Sequence, residues 1–146
     1  MNRHVNTILL ADDDADDRLL IKEAMDVVKF ASQNINCVED GEELMDYLNR
    51  CGKFTDFKCW RIPDLILLDL NMPKKDGREA LREIKSDSLL RKIPVVVFTT
   101  STAPEDISEC YDMGANTYMT KALTFEDMVS AMKTIKQYWA EYALLS

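Results

Sequence analysis

Leu65 to Leu68 is an uninterrupted apolar run, and the stretch L-L-D-L-N-M-P-K-K-D-G (67 to 77) carries it into a carboxylate, Asp69, and then into turn-forming residues. Four consecutive apolar residues leave no polar face, the pattern of a strand covered on both sides. Val95 to Phe98 repeats the pattern, while Ile8 to Ala11, Ile35 to Val38 and Thr117 to Met119 complete a set of five short strands. Between them lie segments with helical spacing: Leu19, Leu20, Ala24, Val27 and Val28; Leu44, Met45, Tyr47 and Leu48; Ala80, Leu81 and Ile84; and Ile107, Cys110 and Tyr111. A fifth helix follows the last strand. Strands that alternate with helices imply right-handed crossovers, a mostly parallel sheet and helices on both faces, so the class is α/β and the pattern (βα)5.

Punctuation agrees with these boundaries. Gly52 and Gly114 stand where helix C-terminal caps are expected, Pro104 suits a first helical turn, and Thr124 with Asp127 resembles a capping box. Pro63 and Pro94 precede the third and fourth strands, where a missing N–H is tolerated. The least regular stretch, Gly52 to Ile62, reads as a surface loop.

With 146 residues the chain fits one domain, and folding buries about 68–70% of the surface the unfolded chain exposes, enough for a core without staples. Hydrophobic residues make up 47% and charged residues 30%, which excludes disordered and collagen-like classes. The net charge of −8 and the absence of a basic stripe argue against nucleic acid. No apolar run approaches the ~20 residues that cross a bilayer, and Ile8 to Ala11 meets Asp12, Asp13 and Asp14 at once, so neither a membrane span nor a signal peptide is expected. The expectation is a cytoplasmic protein. Cys37, Cys51, Cys59 and Cys110 form no C-x-x-C pair and the one histidine, His4, is terminal, so four reduced thiols and no zinc are expected.

In open α/β sheets the working crevice lies at the carboxyl ends of the strands. Strand one ends in Asp12 and Asp13, strand three in Asp69, strand four in Thr99 and Thr100, and strand five in Thr120 and Lys121. Crowded carboxylates repel unless a cation intervenes, and a hard divalent ion such as Mg2+ supplies one through oxygen ligands. Such an ion lets a carboxylate attack phosphorus. Asp69 is the candidate nucleophile, with Lys121 and Thr99 as contacts for phosphoryl oxygens.

The aspartate pair after strand one, the 67 to 77 run, P-V-V-V-F-T-T-S (94 to 101) and Y-M-T-K (118 to 121) together resemble a response regulator receiver domain, and the resemblance covers nearly the whole chain. It implies a flavodoxin-like doubly wound sandwich, with a five-stranded parallel sheet in order 2-1-3-4-5 and one receiver domain over 1–146. It further implies that Asp69 accepts a phosphoryl group from a sensor histidine kinase or phosphotransfer protein. Asp13, Asp69 and the backbone carbonyl of Asn71 would hold Mg2+, with Asp12 ligating partly through water. The hydroxyl of Thr99 would swing toward the phosphoryl group, Tyr118 would turn inward behind it, and Lys121 would bridge to its oxygens. The family usually places proline after this lysine, commonly with a cis bond, whereas Ala122 follows here. A cis bond before a non-proline residue costs about 2.5–4 kcal/mol, so either local packing meets that cost or the bond is trans.

With no output domain after the last helix, a stand-alone receiver that signals by protein interaction is expected. The long loop before strand three, the F-T-T-S tetrad and the W-A-E-Y tail (139 to 142) are most like the small receivers paired with phytochromes. Asp14, Asp16 and Asp17 read as charges that cap the first helix. Asp12, Asp14, Asp16 and Glu23 match part of a calcium-loop pattern, but Asp17 stands where its glycine is required. Phe125, Met128, Val129, Met132, Ile135, Trp139 and Tyr142 form one helical stripe, about 27 Å long against ~17 Å for a five-residue strand. Its end is expected to overhang, with Trp139, Tyr142, Leu144 and Leu145 available to a partner; the alternative is a tail folded back on its own domain. A homodimer through the fourth helix, fifth strand, fifth helix and tail is the corresponding expectation. The competing function is an aspartate-nucleophile phosphohydrolase of the haloacid dehalogenase type, which needs a second acid where Asn71 stands.

Overall fold

Each strand delivers alternate side chains to opposite faces, and the two faces recruit different helices. The computed structural model describes residues 5–30, 34–143 and 145, so His4, Leu144 and Ser146 lie outside the described residues. The strands are β1 (Ile8–Ala11), β2 (Ile35–Val38), β3 (Leu65–Leu68), β4 (Val95–Thr99) and β5 (Thr117–Thr120). All pair in parallel, in the order β2-β1-β3-β4-β5. The helices are α1 (Ala15–Val27), α2 (Gly41–Asn49), α3 (Gly77–Ser86), α4 (Pro104–Asp112) and α5 (Phe125–Ile135). This is the expected flavodoxin-like arrangement.

Leu9, Ala11, Ile66, Leu68, Val95 and Val97 face a layer built from α2, α3 and α4, where Leu44, Leu81, Ile84 and Cys110 are buried. Ile8, Leu10, Leu65, Leu67, Val96 and Phe98 face the opposite layer, where Ile21 and Met25 of α1 meet Met128, Met132 and Ile135 of α5. β1, β3 and the whole of β4 are buried, whereas β5 is half-buried to exposed because it forms one edge of the sheet.

Caps end the helices largely as their residues suggest. Asp14, Asp40, Asp76 and Thr124 each accept a backbone N–H in the first turn of α1, α2, α3 and α5. Pro104 begins α4, and Gly114 follows that helix at φ 106°, a conformation that favours glycine. At the end of α2 the cap is Arg50, with φ 52°, rather than Gly52, which instead opens a single 3-10 turn over Gly52–Phe54.

The 52 to 62 segment is the expected surface loop, most of its residues exposed, and aromatic contacts pin it: Tyr47 contacts the rings of Phe54 and Trp60 at 5.0 and 5.9 Å, and Trp60 Nε1 donates to the Tyr47 carbonyl at 2.8 Å. Aromatic side chains spaced through an irregular backbone give no period, so the packing is invisible to patterning. The last helix is α-helical only to Ile135 and continues through Lys136–Tyr142 in π geometry, closed by the Ala143 amide on the Tyr138 carbonyl at 2.6 Å. The wider turn rotates the stripe. Trp139 stays packed on the core, Tyr142 is 75% exposed, and Leu145 packs back against the α1/α5 layer. The apolar overhang is therefore smaller than the stripe suggests. Among the described residues no helix is long and apolar enough to cross a membrane.

Candidate functional site

Parallel register brings the strand ends together. Ala11 stands beside Leu68, so the next residues, Asp12 and Asp69, are neighbours, and the Asp69 amide donates to the Ala11 carbonyl at 2.9 Å. Thr99 stands beside Thr120, and the Lys121 amide donates to the Thr99 carbonyl at 2.7 Å. Asp12, Asp69 and Thr99 are buried, and the Lys121 side chain is 7% exposed.

Lys121 Nζ lies 2.8 Å from Asp12 Oδ2, 3.1 Å from Asp69 Oδ2 and 2.7 Å from Asp17 Oδ2. The Thr99 hydroxyl donates to Asp69 Oδ1 at 2.9 Å, and the Asn71 amide approaches the same oxygen at 3.3 Å. Both oxygens of Asp69 are thus held. Burial penalises the Lys121 ammonium, yet its hydrogen bonds to Asp12 and Asp17 and the fields of Asp69 and Asp12 outweigh that penalty and raise its pKa. For Asp12 burial wins over Lys121 and the Asp14 amide, and its carboxyl is pushed above the usual aspartate value. Asp13 is exposed, and Asp12, Asp13 and Asp69 each offer an oxygen within 4.8 Å of the others. Three hard oxygen donors at that separation fit a divalent ion.

Neighbouring elements lock this arrangement. Arg18 donates from Nη1 to the Asp12 carbonyl at 2.7 Å and from Nη2 to Glu39 at 3.1 Å. The Asp14 amide holds Asp12 Oδ1 at 2.9 Å. Gly77 lets the start of α3 lie directly on the Asp69 loop: its amide bonds the Leu70 carbonyl at 2.9 Å, and a Cβ there would collide with the Asp69 carbonyl. Asp76-Gly77 is therefore a packing requirement of the site as well as a turn. Tyr118 packs against the α2/α3/α4 layer and its hydroxyl donates to the Ser101 carbonyl at 2.9 Å. The Ser101 hydroxyl in turn donates to Asp106 at 2.6 Å, and Asp106 pairs with Arg78 at 2.8 Å.

Of the expected site residues, Asp12, Asp13, Asp69, Thr99 and Lys121 come together, with the Asn71 backbone beside them. Tyr118 lies in the adjoining β4–α4 loop contact, while Trp139 and Tyr142 belong to the C-terminal π segment and take no part in the cluster. The Lys121–Ala122 bond is trans, which resolves the open alternative. Sequence reading missed Asp17, which was assigned to capping. Its only signal was its place in the first turn of the helix that follows a site strand. Arg18 was missed for the same reason.

Residues 8–133 match the family described as the response regulator receiver domain. The response regulator Rcp1 of Synechocystis sp. is 38% identical over 138 residues, 94% of this chain and 91% of that protein; its Mn(2+)-bound crystal structure superposes with a TM-score of 0.84, covering 97% and 99% of the two chains. The phosphorylated cyanobacterial phytochrome response regulator RcpA is 42% identical with a TM-score of 0.87, covering 99% and 100%. "Probable methanogenesis regulatory protein FilR2" of Methanothrix harundinacea is 39% identical over 132 residues, 90% of this chain and 82% of that protein.

Proposed function

The chain belongs to the response regulator receiver family, and from that premise we propose that Asp69 is its phospho-acceptor, that Mg2+ is its metal, and that a sensor histidine kinase is its donor. The observation that carries the reading is the convergence of Asp12, Asp69, Thr99 and Lys121 on one buried edge. A carboxylate oxygen of Asp69 attacks the phosphorus of a phosphohistidine, forming a P–O bond as the P–N bond breaks, and the imidazole leaves with a proton. Thr99 and Lys121 flank the two oxygens of Asp69, so either can pass to the incoming phosphoryl group with little movement. A divalent ion held by Asp12, Asp13, Asp69 and the Asn71 carbonyl would neutralise phosphoryl charge. The Mn(2+)-bound form of Rcp1 and the acidic triad support a divalent ion here.

A phytochrome as the kinase is supported by the likeness to RcpA, itself a phytochrome response regulator. Self-association is supported by an apolar groove of about 230 Å³ beside the outer edge of β5, walled by Met119, Ile135, Tyr138 and Trp139. Nothing favours the phosphohydrolase: the position of its second acid is Asn71, and the matched family is a signalling one.

The test is intact-mass spectrometry after incubation with acetyl phosphate, with Mg2+ and with chelator. One phosphoryl adduct is expected, lost in chelator and in Asp69→Asn, whose circular dichroism stays that of the parent. An adduct that survives Asp69→Asn overturns the assignment.

A further inference from the structure

Residues 50 to 61 carry four basic side chains, Arg50, Lys53, Lys58 and Arg61, against one acidic, Asp56, in a chain of net charge −8. Two of the four are engaged. Arg50 lies over the Trp60 ring at 5.1 Å, and Lys53 pairs with Glu43 at 3.4 Å. Lys58 and Arg61 have no ion pair among the described residues. Both line one polar pocket of about 340 Å³, together with Thr7, Asn34, Asn36 and Cys59.

The wall that carries these cations is held in place. The Tyr47 hydroxyl accepts from Asn36 Nδ2 at 3.1 Å and donates to the Arg61 carbonyl at 3.0 Å. Thr7 donates its hydroxyl to the Ile62 carbonyl at 3.3 Å and accepts the Asp64 amide at 3.1 Å. The neighbouring acid, Asp64, receives the amides of Asn6 and Thr7 at 2.9 and 3.2 Å. The pocket lies by the N-terminal ends of β1 and β2, whereas the acidic cluster lies at the C-terminal ends of β1 and β3. A four-residue strand spans about 13 Å, and at that distance Asp12 and Asp69 are also paired with Lys121. They therefore do little to repel an anion bound here.

We propose that this pocket binds a small multivalent oxyanion, held by Lys58 and Arg61 with the amides of Asn34 and Asn36. Its polar lining disfavours an apolar ligand, and an arginine fork with amide donors matches phosphate and carboxylate oxygens. The site is separate from the phosphoryl centre and does not depend on the assignment of Asp69.

The experiment is calorimetric titration of the full chain with pyrophosphate and with citrate, in chelator, which separates phosphate from carboxylate chemistry. Alkylation of the cysteines by a neutral maleimide, located by peptide mass, gives the second readout. One molar equivalent should bind. Arg61→Ala should weaken binding about tenfold, as expected for one charge-assisted hydrogen bond, and Lys58→Ala/Arg61→Ala should abolish it. Lys133→Ala, on a different surface, should bind as the parent does. Bound anion should slow the labelling of Cys59 and leave Cys51 unchanged. Undiminished affinity in the double variant, or no binding of either anion at millimolar concentration, overturns the proposal.

Discussion

Two lysines, one near each end of the sheet, are withdrawn from water, Lys85 partly and Lys121 almost wholly, and respond in opposite directions. Lys121, at the carboxyl ends of the strands, faces three carboxylates and its pKa is raised. Lys85, on α3, donates to the Arg91 carbonyl at 3.1 Å, the Ile93 carbonyl at 2.9 Å and Asn116 Oδ1 at 3.2 Å, and burial lowers its pKa. Burial opposes the charge in both places, and the partners decide the outcome. Neutral acceptors satisfy the Lys85 ammonium and tie α3 to the entrances of β4 and β5. Carboxylates around Lys121 hold its charge, and under the proposed function a phosphoryl group would redirect it. One end is a fastening and the other is the proposed reactive centre.

The comparison is broken most severely by Lys121→Ala. It leaves Asp12 and Asp69 buried without their cation and should cost about 3–5 kcal/mol in urea unfolding with chelator. Much of that loss should return with millimolar Mg2+, because a bound cation stabilises the state it binds. Since the ammonium competes for the same oxygens, Lys121→Ala should also bind the metal more tightly than the parent. Equal metal affinity in the two proteins would mean that ammonium and ion do not share Asp12 and Asp69.

Lys85→Met should cost about 1–3 kcal/mol, the loss of one set of hydrogen bonds to a charged donor, while phosphoryl uptake persists. The pH dependence separates the two lysines. The folded pKa of Lys85 lies below the model-compound value of 10.5, so the unfolded chain binds more protons in that window. Stability should accordingly rise toward pH 10.5 in the parent relative to Lys85→Met. For Lys121 the folded pKa is the higher one, so its contribution is complete below 10.5 and is lost as pH climbs through the raised value. The smallest effect is expected from Asp17→Asn. Its side chain is 31% exposed, and the pair should be worth about 1 kcal/mol or less. A loss above that would show that Asp17 holds Lys121 as firmly as the buried carboxylates do.

Most of the site was legible because a parallel sheet exports the residue after each strand to a common edge. Asp12, Asp69, Thr99 and Lys121 could be gathered from strand ends alone. Asp17 could not, because an aspartate in a first helical turn is already explained by the helix dipole, and a sufficient local reason hides a distant partner. The loop before β3 was legible as a surface loop, but its packing was not: the contacts of Tyr47 with Phe54 and Trp60 span 7 and 13 residues along an irregular backbone, so no period announces them.

The sequence by itself determined the five strands, the caps at Asp14 and Thr124, the family, and the set of oxygen and nitrogen groups gathered at the strand ends. These are properties of residues near one another along the chain, or of a topology in which strand ends must coincide. Tertiary structure alone decided that Lys121 engages Asp17, that the bond after it is trans, that the C-terminal stripe turns at Ile135, and that Lys58 and Arg61 share a pocket. Each depends on distances between segments that no local spacing encodes, and on burial, which sets how strongly the charges of the molecule act on one another.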